Sequence, residues 1–224
     1  MATVKKAIIF DLDSCLAAAN EVGEKLFAHA FEAIRAANQG HIREERLNAA
    51  LADCWRFPFD FIAAKYNFSA AMRSAGFAAF AQTEVTEQMH GYGDLDALRD
   101  LKAAQPLLLP LQLFLVTSGF RRLQQSKVKA LGLDQLLTGL HIDAIDESGP
   151  KGKLHAFRSI LRDHNLSPSE VLVVGDNPES EIAAGNELGM TTIQILRPGV
   201  PPSAAATHQI RSLHELKKLM EGQL

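Results

Sequence analysis

Four short, continuous runs of apolar residues, at 7–10, 111–116, 171–174 and 191–196, limit what this chain can fold into; a weaker fifth lies at 140–145. Continuous rather than alternating apolarity suits strands buried on both faces, as in a parallel sheet. Helical spacing fills the gaps between runs. Leu95, Leu98 and Leu101 begin one helix. Leu123, Val128 and Leu131 mark a second, Leu154, Phe157, Ile160 and Leu161 a third, and Ile182, Ala183 and Leu188 a fourth. Gly132 and Gly189 stand where the second and fourth should stop. The class is therefore α/β, a parallel sheet with helices on both faces and right-handed crossovers.

One segment breaks the alternation. Residues 17–89 contain no strand-like run; they are rich in alanine, place Phe27, Phe31 and Ile34 at helical spacing, and turn aromatic around 55–61. Pro58 should end or kink a helix there. The expected layout is a Rossmann-like core of residues 1–16 and 90–224 with an all-α insert at 17–89. A chain of 224 residues, 47% of them hydrophobic, is large enough for both parts. Its formal net charge of -3 lacks the basic footprint of a nucleic-acid binder. Cys15 and Cys54 make no disulfide framework and suit a reducing compartment. The run at 7–10 is too short for a signal-peptide core, and nothing approaches the ~20 apolar residues of a membrane helix. The expectation is a soluble, cytoplasmic protein with no nucleic-acid or membrane partner. Oligomeric state is not readable.

Asp11 and Asp13 follow the first strand immediately. In open α/β sheets ligands bind outside the carboxyl ends of the strands, and residues two apart on an extended chain point the same way. Both carboxylates can therefore face one ligand, although Asp is also common in strand-end turns. Thr117, Ser118 and Gly119 close the second strong run before a helix, where a hydroxyl and backbone amides suit an anion; the same residues are ordinary caps. Asp176 and Asn177 follow the third strong run, with Glu179 and Glu181 behind them. A carboxylate there makes an oxygen-rich magnesium site reasonable. Lys151 and Lys153 precede a helix and could neutralise phosphate.

Each signal is soft alone, but their order is specific. Asp-x-Asp, then Thr-Ser-Gly, then Lys, then Gly-Asp with a following acid resembles the haloacid dehalogenase-like hydrolase superfamily over residues 5–16 and 90–215. The insert resembles that superfamily's helical cap in position but not in sequence. The resemblance implies Mg²⁺-dependent hydrolysis of a small phosphorylated metabolite, of the phosphoglycolate phosphatase or nucleotidase kind. Asp11 would be the nucleophile that forms an aspartyl-phosphate, and Asp13 the acid and base. Asp11, Asp176 and the backbone carbonyl of Asp13 would bind the metal, with Asn177 and Glu181 supporting it from behind. Thr117 and the amides of Ser118 and Gly119 would hold phosphoryl oxygens. Lys151, preferred over Lys153 for its spacing to Phe157 and Asp176, would offset their charge. Glu181 stands where relatives usually have Asp, and Gly152 replaces a frequent proline.

Two alternatives stay open: a phosphomutase of the same superfamily and a non-catalytic binding module. Carbon–halogen cleavage is disfavoured, because the halide-releasing relatives lack the second Asp. Cys15 reads as a small residue packed under the site. Cys54, Trp55 and most of Phe57, Phe59, Phe61, Tyr66 and Phe68 read as the insert's own core. His41 and His90 read as surface or boundary histidines, and Arg56 and Arg73 are set aside as contacts for an anionic substrate tail.

Overall fold

The computed structural model describes residues 4–103, 111–149 and 152–220. The first strand, β1 (Ala7–Phe10), leads into a helical segment: α1 (Ala28–Asn38), α2 (Glu44–Asp53), α3 (Phe59–Lys65) and α4 (Ala70–Gln82). The chain then continues as α5 (Ala97–Ala103), β2 (Gln112–Gly119), α6 (Arg121–Ala130), β3 (Gly139–Ala144) and α7 (Lys153–Asp163). It ends with β4 (Val171–Gly175), α8 (Ala183–Glu187), β5 (Thr191–Ile195), β6 (His208–Ile210) and α9 (Glu215–Met220). Among the described residues, no helix is long and apolar enough to cross a membrane.

The strands form one parallel sheet in the order β3-β2-β1-β4-β5-β6. Alternate residues of each strand face opposite sides, and both sides are buried, which is why the runs read as continuous. Ile8, Phe10, Leu113, Leu115, Leu172 and Val174 enter one core, together with α5, α6, α9 and the helical segment. Ala7, Ile9, Phe114, Val116, Val171 and Val173 enter the other, beneath Phe157 and Ile160 of α7 and Ala184 of α8. The fold is the expected α/β, Rossmann-like one.

Local signals explain the helix borders. Pro58 precedes α3, and its carbonyl accepts the Ile62 N–H at 3.1 Å. Ser69 caps α4 by accepting the Met72 N–H at 3.2 Å. The strand β6 was not expected. It has three residues and pairs only with β5, and Ile210 is its one buried side chain, so no apolar run marks it.

This topology places a crevice. The chain winds outward from β1 through β2 to β3 on one side and from β4 through β5 to β6 on the other. The carboxyl ends of β1 and β4 are therefore neighbours whose following loops diverge, the switch point at which open α/β sheets bind ligands. Phe10 pairs with Val174 on one side and Leu115 on the other. The residues just beyond those three positions are Asp11, Gly175-Asp176 and Val116-Thr117.

Candidate active site

Asp11 leaves β1 with its N–H still donating to Val174 O of β4 at 2.9 Å, so its position is fixed by the sheet. Asp176 follows β4, and Glu181 lies in the wide turn Pro178–Ile182 behind it. One carboxylate oxygen from each of Asp11, Asp176 and Glu181 lies within 4.8 Å of the others. Lys153, at the start of α7, enters this group. Its Nζ is 2.8 Å from Asp11 Oδ1 and 2.6 Å from Glu181 Oε2. The other Glu181 oxygen accepts the Asn177 N–H at 2.6 Å. Both oxygens of Glu181 are thus engaged within the protein.

Three buried or half-buried carboxylates share one ammonium, and the proton affinities of Asp11 and Asp176 are raised there. Burial pushes Asp11 up to about 8, against the pull of Lys153 and with help from Glu181 and Asp176. Burial and then the Glu181 charge push Asp176 up to about 7. Burial works against the Lys153 charge too, but Asp11 and Glu181 outweigh it and raise its pKa above the ordinary lysine value. A divalent cation would offset the negative charge that such a cluster gathers. Hard carboxylate oxygens are the donors magnesium takes, so the residues present fit the ion the sequence implied.

Asp13 is held from the other side. Lys127 Nζ of α6 lies 2.7 Å from its Oδ1, and Gln124 Nε2 donates to its Oδ2 at 3.3 Å. Asp11, Asp13, Thr117, Ser118, Gly119, Lys153 and Asp176 all line one cavity of about 820 Å³. The two aspartates do face a common space, as their spacing predicted. The Ser118 hydroxyl donates to Asp143 Oδ2 at 3.2 Å. Asn177 caps the turn: its side chain accepts the Glu179 N–H at 2.9 Å while its own N–H serves Glu181.

Lys151 lies outside the described residues. Lys153, the less favoured of the two in sequence, is the lysine found against Asp11. Gln124 and Lys127 escaped the sequence reading altogether. The available signal was an i, i+3 polar pair set beside Leu123 and Val128, the buried apolar stripe of α6. Cys15 is buried, with its Sγ 3.6 Å from Val174 O, and packs under the site as expected. Arg73 donates to the carbonyls of Phe68 and Ala63, and His41 contacts Asn67 O, so both serve the helical segment. Arg56 lines the cavity.

The model of the haloacid dehalogenase-like hydrolase family matches residues 5–189. The chain belongs to this family. The match runs through every residue of the cluster just described. Among curated proteins, this haloacid dehalogenase-like hydrolase is 28% identical over 219 residues to Enolase-phosphatase E1 of Methylococcus capsulatus, covering 91% of this chain and 92% of that one. It is 31% identical over 109 residues to Pyrimidine 5'-nucleotidase YjjG of Escherichia coli, covering 47% of this chain and 48% of the relative. Shorter matches span 30% and 32% of two other enolase-phosphatases. Among solved structures it resembles a HAD phosphatase from Thermococcus onnurineus, with a TM-score of 0.62, 22% identity, and coverage of 97% of this chain and 99% of that one.

The hydrolase's acidic cluster depends on one close approach. A Cβ on Gly175 would lie 2.2 Å from Glu181 Oε1. Gly175→Ala should displace Glu181 from Lys153 and the Asn177 N–H, at a cost of about 1–3 kcal/mol typical of overpacking. The expected result is a lowered Tm together with weaker Mg²⁺ binding. An alanine variant that matches wild type in calorimetric Mg²⁺ titration would remove Glu181 from the metal's support.

Proposed function

We propose that the protein is a Mg²⁺-dependent phosphomonoesterase in which Asp11 is the nucleophile. The observation that supports this best is the cluster of Asp11, Asp176 and Glu181 around Lys153, opening on the cavity that Asp13 and Thr117 share. Asp11 attacks phosphorus, the bond to the ester oxygen breaks, and Asp13 gives its proton to the leaving alcohol. A water then attacks the phosphorylated Asp11 at phosphorus. Asp13 takes the proton of that water, and inorganic phosphate departs from a regenerated carboxylate. Lys127 and Gln124 fix the Asp13 carboxylate for both proton transfers.

Thr117 and the amides of Ser118 and Gly119 hold the non-bridging oxygens. Lys153 stands beside the attacking carboxylate, where negative charge accumulates, and takes the role that spacing gave to Lys151. Phosphoryl transfer depends mainly on positioning and electrostatics, so these groups suffice. Asp11, Asp176 and the Asp13 carbonyl would hold Mg²⁺, with Glu181 and Asn177 supporting them. When bound, the ion lets an anionic nucleophile approach an anionic phosphate.

In this reading residues 17–89 act as a cap that closes over a small phosphorylated metabolite and excludes water. The names of the relatives, a nucleotidase and an enolase-phosphatase, support the reaction class and leave the substrate open. The test is p-nitrophenyl phosphate hydrolysis by the purified chain. Turnover should require millimolar Mg²⁺ and vanish in EDTA. Turnover that persists in EDTA would remove the metal from the mechanism, and failure to bind Mg²⁺ would favour the non-catalytic alternative.

A further inference from the structure

The cavity that contains Asp11 measures about 820 Å³, far more than a phosphoryl group fills. The part contributed by the helical segment is aromatic. Phe27, Trp55, Phe57, Phe59 and Phe80 line it, and Phe120, the residue after Gly119, meets them from the sheet side. Phe80 and Phe120 stack with centroids 5.5 Å apart and planes at 16°. Phe27 and Trp55 stack at 4.1 Å and 24°. Stacked rings therefore run from the loop that faces the phosphate into the helical segment.

Two of these rings keep exposed surface, Phe57 and Trp55, the latter packed against the core on its Phe27 side. Phe27, Phe59, Phe80 and Phe120 are buried, whereas Phe57 is 38% exposed and Trp55 is only partly covered. Both sit in the turn between α2 and α3, at the cavity edge. The helical segment's charged and amide side chains in the lining are Asn20 and Arg56, and among the described residues it places no carboxylate there. A buried polyol needs a partner for each hydroxyl, and this wall gives it few. A flat π-face needs only rings to stack on.

We propose that this site selects phosphomonoesters whose alcohol carries a planar aromatic or heteroaromatic ring, seated against Trp55 and Phe57. The inference rests on the phosphomonoesterase reading and names its substrate class. A nucleoside and a simple aryl-methyl alcohol share the required chemistry.

The test compares adenosine 5′-monophosphate, uridine 5′-monophosphate and benzyl phosphate with ribose 5-phosphate, using the full chain with Mg²⁺. All four are esters of primary alcohols, so a difference in kcat/KM reports the ring rather than the leaving group. At least one ring-bearing ester should exceed ribose 5-phosphate by about tenfold or more, the scale of one aromatic stack. Preference for benzyl phosphate as well as the nucleotides assigns recognition to the ring alone. Preference confined to the nucleotides assigns it to the base on its ribose. Phe57→Ala, at an exposed position the fold tolerates, and Trp55→Ala should each shrink the ratio toward one. Equal use of ribose 5-phosphate, or a ratio that survives both substitutions, overturns the proposal while the phosphatase reading stands. Absence of turnover with every ester, p-nitrophenyl phosphate included, overturns the phosphatase reading and this inference with it.

Discussion

Asp11→Asn should abolish turnover and leave the fold intact or firmer. The amide matches the carboxylate in shape but cannot form the phosphorylated intermediate. Loss of a covalent nucleophile removes a pathway rather than one contact, and about 10⁴-fold or more in kcat is the scale seen when such groups are deleted. Stability should move the other way. Asp11 is buried among Asp176 and Glu181 with Lys153 as the shared counter-charge. Above about pH 8, where Asp11 is ionised, removing its negative charge from that group relieves repulsion that burial leaves unscreened. In EDTA above that pH the variant's Tm should therefore equal or exceed that of wild type. Added Mg²⁺ should raise the wild-type Tm by mass action and raise the variant's less. Such a result would mark the cluster as a place where stability is given up for function. An inactive variant that is also destabilised in EDTA would mean that Asp11 is a structural anion, and the nucleophile would have to be sought elsewhere.

Residues placed at the ends of their own strands were legible in the sequence, and residues brought to the cavity from across the fold were not. Asp11, Asp13, Thr117 and Asp176 each follow or close an apolar run, and a parallel sheet brings such ends together whatever the rest of the chain does. The runs were legible because α7 and α8 cover one face of the sheet while α5, α6, α9 and the helical segment cover the other. Lys153 and Lys151 are two residues apart before a helix; the start of α7 at Lys153, after Gly152 at φ 90°, carries Lys153 to Asp11, and Lys151 lies outside the described residues. Gln124 and Lys127 look like two more polar residues of a surface helix until the sheet places α6 beside Asp13. The aromatic stretch 55–61 divides by the same logic. The turn at Pro58 sends Phe59 into the core and leaves Phe57 and Phe61 exposed, which a count of rings cannot reveal.

The largest stability effect should come from a pair that no periodicity announces. Arg197, just past β5, makes a two-pronged contact with Asp94, at 2.8 Å from each carboxylate oxygen. It also donates twice to Cys15 O, at 3.0 and 2.8 Å, and its guanidinium lies 4.1 Å above the Tyr92 ring. Asp94 in turn accepts the Leu213 N–H at 2.8 Å. One buried arginine thus ties the chain leaving β1 to the chain entering α5, the two places where the helical segment joins the sheet. Glu21 adds a second tie by accepting the N–H groups of His90 and Gly91. Asp94→Asn leaves the Arg197 charge buried without its partner, which costs about 3–5 kcal/mol. For a chain of this size that is a Tm drop of roughly 6–20 °C. Burial opposes the Asp94 charge, but the Arg197 and Leu213 bonds outweigh it and hold its pKa below the usual value. Its contribution is therefore complete above the unfolded-state pKa of about 4, and is lost as the pH falls through the lower folded value. The gap between wild type and Asp94→Asn should be constant near neutral pH and close only in acid. Asp94→Leu with Arg197→Met removes both charges and should cost less than the two single changes together. It should not reach wild type, because Cys15 O and the Leu213 N–H lose their partners. A double variant as stable as wild type would show that neither the ion pair nor the bonds to Cys15 O and the Leu213 N–H add net stability.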